Sequence, residues 1–126
     1  MKKDLTIKNR KIVSKVLIYN TDDLKQTKTY IGVIDTGSQE TCISNNIVAE
    51  LKLKETGKSV DIASSDGNIT KSKRYHCILQ IEGISKGFTI EPPTHPRENI
   101  DVIIGMDILE KFEIKMKGAI FSLEIE

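Results

Sequence analysis

Asp35-Thr36-Gly37-Ser38 closes the apolar run Tyr30-Ile31-Gly32-Val33-Ile34. A carboxylate at the end of a buried strand is held still and yet reachable from solvent. Gly37 tolerates the positive φ and the close backbone approach that such a turn asks for. Thr36 can hydrogen-bond backbone groups and lock the loop. The chemistry open to this carboxylate is acid–base work on a water molecule. Two carboxylates about 3 Å apart cannot both ionise, so they share one proton. The charged one takes a proton from a water held between them, and the protonated one stabilises the oxyanion that forms and later protonates the leaving group. Asp-Thr-Gly-Ser occurs once in the 126 residues. A pair therefore requires a second copy of the chain, with one Asp35 from each. Without that partner the tetrapeptide is a polar turn between two strands. Ser38 has two readings. Its hydroxyl can donate to the outer oxygen of the Asp35 carboxylate and lower its pKa, or it can bond only the loop backbone.

The second half of the chain supplies context. Ile100-Asp101-Val102-Ile103-Ile104-Gly105-Met106-Asp107-Ile108-Leu109 is an apolar strand, a glycine and a helix start. Between the two motifs, residues 60–70 carry Asp66-Gly67, a strong hairpin-turn signal. On these residues the chain resembles the retropepsin family, the retroviral-type aspartic peptidases, over residues 16–125. The Gly105-Met106-Asp107-Ile108-Leu109 version looks closer to the cellular, bacterial and retrotransposon members than to the viral ones, and it also resembles the DNA-damage-inducible retroviral-like peptidases.

The resemblance implies an all-β (mainly β) fold, a small closed acid-protease-like β barrel with one short helix near the C-terminus. It implies an aspartic endopeptidase, active as a homodimer, that hydrolyses a polypeptide substrate without metal or cofactor. Asp35, Thr36, Gly37 and Ser38 would form the catalytic loop. Gly37, Gln39, Ser65, Asp66 and Gly67 would bind the substrate backbone, the last three from a hairpin flap. Viral members pair an acidic residue two places after the motif's glycine with an arginine directly after the later glycine. Here those places hold Gln39 and Met106, so both partners are absent together and no buried charge is stranded. Asp107 is expected to cap the short helix or to hydrogen-bond the active-site loop. A catalytically silent peptide-binding or dimerisation module on the same fold is the alternative. The intact tetrapeptide favours the enzyme, because paired carboxylates repel and cost stability.

The elements that must position Asp35 read mostly as strand. Residues 12–19 are β-branched and apolar, 20–28 read as a polar hairpin loop, and 29–34 return to strand and deliver Asp35. Residues 41–44 continue as strand, and 45–51 give a helical turn with Asn45 as its cap. Strands follow at 75–81 and 87–90. Residues 92–96 hold three prolines and read as loop. A short helix is expected at 108–112 and a closing hairpin at 113–125. Short strands with turn signals between them point to a closed or sandwiched β domain.

Composition bounds the rest. The chain reads as one domain over 1–126, long enough for a modest core. Nineteen basic and eighteen acidic residues leave a net charge of +1, which argues against nucleic acid or a membrane surface bound through bulk charge. No stretch has the apolar length of a signal peptide or a membrane span, so a cytoplasmic setting with reduced, packed thiols is expected for Cys42 and Cys77. No Cys-x-x-Cys pair is present, and adjacent His76 and Cys77 would point to opposite faces of a strand, which argues against a metal or thiol site. The run Lys71-Ser72-Lys73-Arg74 reads as a solvated basic face.

Overall fold

A computed structural model describes residues 1–63 and 66–126. Strand β1 spans Lys2–Lys8, β2 Lys11–Asn20, β3 Asp23–Ile34 and β4 Cys42–Ser44, followed by helix α1 at Asn45–Leu51. Then come β5 (Glu55–Ala63), β6 (Ile69–Tyr75), β7 (Cys77–Ile81), β8 (Gly87–Ile90), β9 (Thr94–His95) and β10 (Val102–Ile104). Helix α2 (Met106–Leu109), β11 (Glu113–Lys117) and β12 (Ile120–Glu124) complete the chain. The mainly β class holds, with α1 on the helical turn expected at 45–51 and α2 as the short helix near the C-terminus.

The main sheet runs β11-β12-β1-β2-β3-β10-β4-β9, with β7 and β8 branching from β2. The expected closed barrel is not seen among the described residues. The reason lies in β2, which is long enough to pair with three strands. Its start meets β1, its later half meets β7, and β3 takes its other edge. The sheet therefore branches instead of closing. β5 and β6 form a separate two-stranded sheet.

Parallel pairing of β3 with β10 positions the site. Gly32, Val33 and Ile34 stand beside Val102, Ile103 and Ile104. Both strands run the same way, so Asp35 and Gly105 leave the sheet side by side. Alternate residues serve opposite faces. Ile34, Val102 and Ile104 join a core with Val16, Ile18, Leu79, Ile108, Leu109, Phe121 and Leu123.

Several boundaries differ from expectation. The polar segment 20–28 is mostly strand: Ile18, Tyr19 and Asn20 pair with Lys28, Thr27 and Asp23, which leaves only a tight turn at Thr21 and Asp22. Buried Asn20 makes that turn. Its side chain accepts the Asp22 N–H at 2.8 Å and donates to the Leu51 and Lys52 carbonyls at 2.9 Å, tying the hairpin to the end of α1. Ser44, not Asn45, is the first cap of α1. Helix α2 begins two residues earlier than expected, directly after Gly105. The proline segment gains β9, whose Thr94 and His95 run parallel to Ile43 and Ser44.

His95 holds β9 in place. It is 6% exposed. Its Nδ1 accepts the Arg97 N–H at 3.2 Å, and Nε2 lies 3.3 Å from the Asp101 carbonyl oxygen, which also receives Ser44 N–H at 2.8 Å. Burial lowers the His95 pKa from its ordinary value. The native state therefore prefers the neutral ring. Its stabilising contribution is fully present above the unfolded value of about 6.5 and is lost as pH falls from there through the depressed native value. Between pH 7 and pH 5 the thermal midpoint should drop more steeply for the native chain than for His95→Gln. Parallel slopes in calorimetry would exclude the ring as the source.

Candidate active site

The loop 35–41 is stitched to the end of β10 and the start of α2. Asp35 N–H donates to the Ile104 carbonyl at 2.9 Å. Met106 N–H donates to the Ser38 carbonyl at 2.8 Å, and Asp107 N–H to the Gln39 carbonyl at 3.2 Å. The first amides of a helix have no partner within it, and here the loop carbonyls take two of them. Within the loop, Gly37 N–H donates to Asp35 Oδ1 at 2.9 Å, and Ser38 N–H to the Asp35 carbonyl at 3.1 Å. The carboxylate is half-buried, while Thr36 and Gly37 are exposed.

Thr41 and Asp107 lock the loop from beneath. Thr41 is fully buried. Asp107 Oδ1 accepts its N–H at 3.0 Å and its hydroxyl at 2.7 Å, and also accepts the Ile108 N–H at 2.9 Å. The Thr41 hydroxyl oxygen accepts Gly105 N–H at 3.1 Å. Asp107 thus bonds the active-site loop, one of its two expected roles. Gly105 is extended at φ −100°, so space and not conformation requires it. A Cβ there would sit 2.5 Å from the Glu40 carbonyl carbon and 2.9 Å from the Ser38 oxygen.

The expected site residues fall in two groups. Asp35, Thr36, Gly37, Ser38 and Gln39 share this loop. Asp66 and Gly67 lie at the tip of the β5–β6 hairpin, whose last ladder pair is Ala63 with Ile69. Gly67 has φ +85°, the value its turn demands, and Asp66 Oδ1 accepts the Asn68 N–H at 3.0 Å. Ser65 lies outside the described residues. Ser38 takes the second of its two readings: its hydroxyl donates to the Glu40 carbonyl at 2.7 Å. The proton that would have reached Asp35 is used within the loop. The bonds that lock the loop come from Ser38, Thr41 and Asp107, where Thr36 was expected to serve.

The sequence reading passed over Glu40, Thr41 and Arg74. Arg74 was assigned to a solvated basic run, and only Lys71 and Lys73 fit that description. Its Nη2 donates to both Glu40 oxygens at 2.8 and 3.0 Å. The signal was available in the strand period of two, which turns Ser72 and Arg74 away from the exposed lysines.

One row of side chains crosses the sheet beside Asp35. Val13, Val33, Ile103 and Cys42 stand in register on β2, β3, β10 and β4. None belongs to the core cluster. They face the other side of the sheet, the side to which Asp35 points as the residue two after Val33. Val13 is 45% exposed, whereas Ile103 is buried. Burial pushes the Cys42 thiol up to about 11, with Glu40 and Asp107 adding to the effect, and burial alone pushes the Cys77 thiol up to about 12. Both cysteines are free and neutral: Cys77 is packed in the core, and the half-buried Cys42 thiol donates to the Glu40 carbonyl at 3.6 Å. Among the described residues no three His, Cys, Asp or Glu side chains gather as a metal site, and no helix is long and apolar enough to cross a membrane.

The fold is similar to that of a retropepsin-like aspartic protease from Rickettsia conorii, with TM-score 0.68 at 15% sequence identity, over 99% of this chain and 91% of that one. The family model for retroviral aspartyl protease matches residues 3–124, and the chain belongs to that family. No curated protein matches it in sequence.

The lock carries a stability prediction. Asp107→Ala leaves the buried Thr41 hydroxyl and N–H without their acceptor, which should cost about 2–4 kcal/mol. Gly105→Ala forces Glu40 away and should cost about 1–3 kcal/mol. Urea denaturation measures both. A loss well under 1 kcal/mol for Asp107→Ala would mean that the loop is held by other contacts.

Proposed function

We propose that the chain is an aspartic endopeptidase, active as a homodimer in which two Asp35 carboxylates share a proton and activate one water. The observation that carries this reading is the presentation of Asp35. Its Oδ1 is fixed by Gly37 N–H, and the residues beside it, Thr36 and Gly37, are exposed on the single chain. One carboxylate per chain cannot be both base and acid, and a two-fold copy supplies the other.

In the dimer the charged carboxylate removes a proton from the water, which attacks the peptide carbonyl. The protonated one stabilises the oxyanion and then protonates the amine as it leaves. The apparent pKa values belong to the pair and not to either Asp35. In this reading Gly37 and the hairpin residues Asp66 and Gly67 bond an extended peptide backbone in the manner of strand addition, with Gln39 as a further polar contact. Val33, Ile103 and Cys42 form an apolar floor beside the carboxylate, suited to alternate apolar side chains of such a peptide.

Two experiments test this. Specific activity on a peptide with apolar residues flanking the cleaved bond should rise with protein concentration and saturate once dimer predominates. Asp35→Asn should abolish it. Full turnover by a strictly monomeric species would exclude the shared dyad, while peptide binding without cleavage would make the chain a silent binding module. Because the Ser38 hydroxyl bonds Glu40, Ser38→Ala should leave the acidic limb of kcat/KM in place. A limb displaced toward neutral pH would return the hydroxyl to Asp35.

A further inference from the structure

The β5–β6 hairpin is a separate sheet, so its position depends on specific ties to the body. Alternation along β6 exposes Lys71 and Lys73 and turns Ser72 and Arg74 inward. Ser72 is 6% exposed. Its oxygen accepts Thr94 N–H at 2.9 Å and lies 3.0 Å from the Thr94 hydroxyl. Tyr75 N–H donates to the Pro92 carbonyl at 3.1 Å. These bonds hold the hairpin to the segment around β9 and go no further.

Arg74 goes further. Its Nη1 donates to the Glu91 carbonyl at 3.0 Å, and Nη2 bridges both oxygens of Glu40. The Arg74 side chain is 20% exposed and that of Glu40 43%, so water screens the pair from the Glu40 side, and the two bonds from Nη2 rather than bare charge define its geometry. Glu40 is itself held: its carbonyl receives the Ser38 hydroxyl, and its backbone lies against Gly105. One guanidinium therefore joins the hairpin, the 91–95 segment and the loop that carries Asp35.

We propose that Arg74 is a positioning residue, which through Glu40 sets the β5–β6 hairpin over Asp35 so that hairpin and catalytic loop move as one unit. The consequence for turnover rests on the peptidase reading, whereas the tie itself does not. Arginine suits the role because its rigid planar fork holds Nη1 to the Glu91 carbonyl and Nη2 to Glu40 from separate nitrogens, whereas the donors of a lysine all sit on one nitrogen at the end of a flexible stem. Displacing the hairpin moves the groove's roof while Asp35 keeps its lock from Thr41 and Asp107. The loss should therefore fall on substrate capture more than on the chemical step.

The test compares Arg74→Gln, Glu40→Gln, the double variant and Arg74→Lys. Hydrogen exchange is followed without substrate at residues 60–62 and 69–72. In Arg74→Gln these amides should exchange about three- to tenfold faster, the scale of a partly buried, doubly bonded ion pair. Arg74→Lys should fall between, and the double variant should be no faster than the faster single. Amides of β2 and β7 should not change, which separates the tie from general destabilisation. With peptide substrate, KM should rise by the same factor and kcat should fall less than twofold. Unchanged hairpin exchange in Arg74→Gln, or additive effects in the double variant, would overturn the tie. If exchange responds but the native chain cleaves no peptide, the tie stands and the peptidase reading falls. If the native chain cleaves peptide and Arg74→Gln keeps its KM, the positioning role falls.

Discussion

The fold around Asp35 depends on the amides at the start of α2. A helix of four residues cannot satisfy its own first donors and does not persist alone. Ser38 and Gln39 supply the missing acceptors. The exchange is mutual: the helix exists because the loop closes its end, and the loop is fixed because the helix is anchored. Ile108 and Leu109, both fully buried, provide the anchor. Asp35 is thus held through the loop carbonyls to the hydrophobic core. Gly105 permits it, since any side chain there would push Glu40 and Ser38 off the helix.

Alternation along β3 and β10 divides two duties between neighbouring residues. Ile34, Val102 and Ile104 fill the core, while Val33 and Ile103 face the carboxylate side. A strand of three residues such as β10 therefore supports the fold with one face and shapes the site with the other. A register slip of one residue would exchange these faces, so the pairing of Val33 with Ile103 is as much a condition for the site as Asp35 is.

What was legible in the sequence was local. The apolar run ending at Asp35, the later strand with Gly105, the hairpin over 60–70 and the closing hairpin at 113–125 all show their period and turn residues. What was hidden depended on partners distant in sequence. β1 and β2 are joined by Asn9 and Arg10, both with positive φ, at 51° and 62°. Without a glycine that turn carries no visible signal. The segment 23–28 is polar apart from exposed Leu24 and pairs with β2 across a register shift, so it shows no alternation and read as loop. Glu40 and Thr41 look like ordinary surface residues until Arg74, Gly105 and Asp107 are brought beside them. Ser38 could be read two ways because only the folded loop shows which acceptor its proton reaches.

The two ends of the chain meet. Met1 N donates to the Ile125 carbonyl at 2.6 Å, and Ile125 N–H to the Met1 carbonyl at 2.9 Å. Between them β1 and β12 pair from Lys2 with Glu124 to Thr6 with Ile120. These contacts join residues 114 to 124 positions apart in the sequence. Closing so long a loop costs entropy before any contact repays it, and folds rich in such pairings form slowly. The bonds between the Asp35 loop and α2 close a shorter loop, but closure entropy grows only slowly with length. Both sets of contacts are long-range, and both therefore slow the formation of the fold.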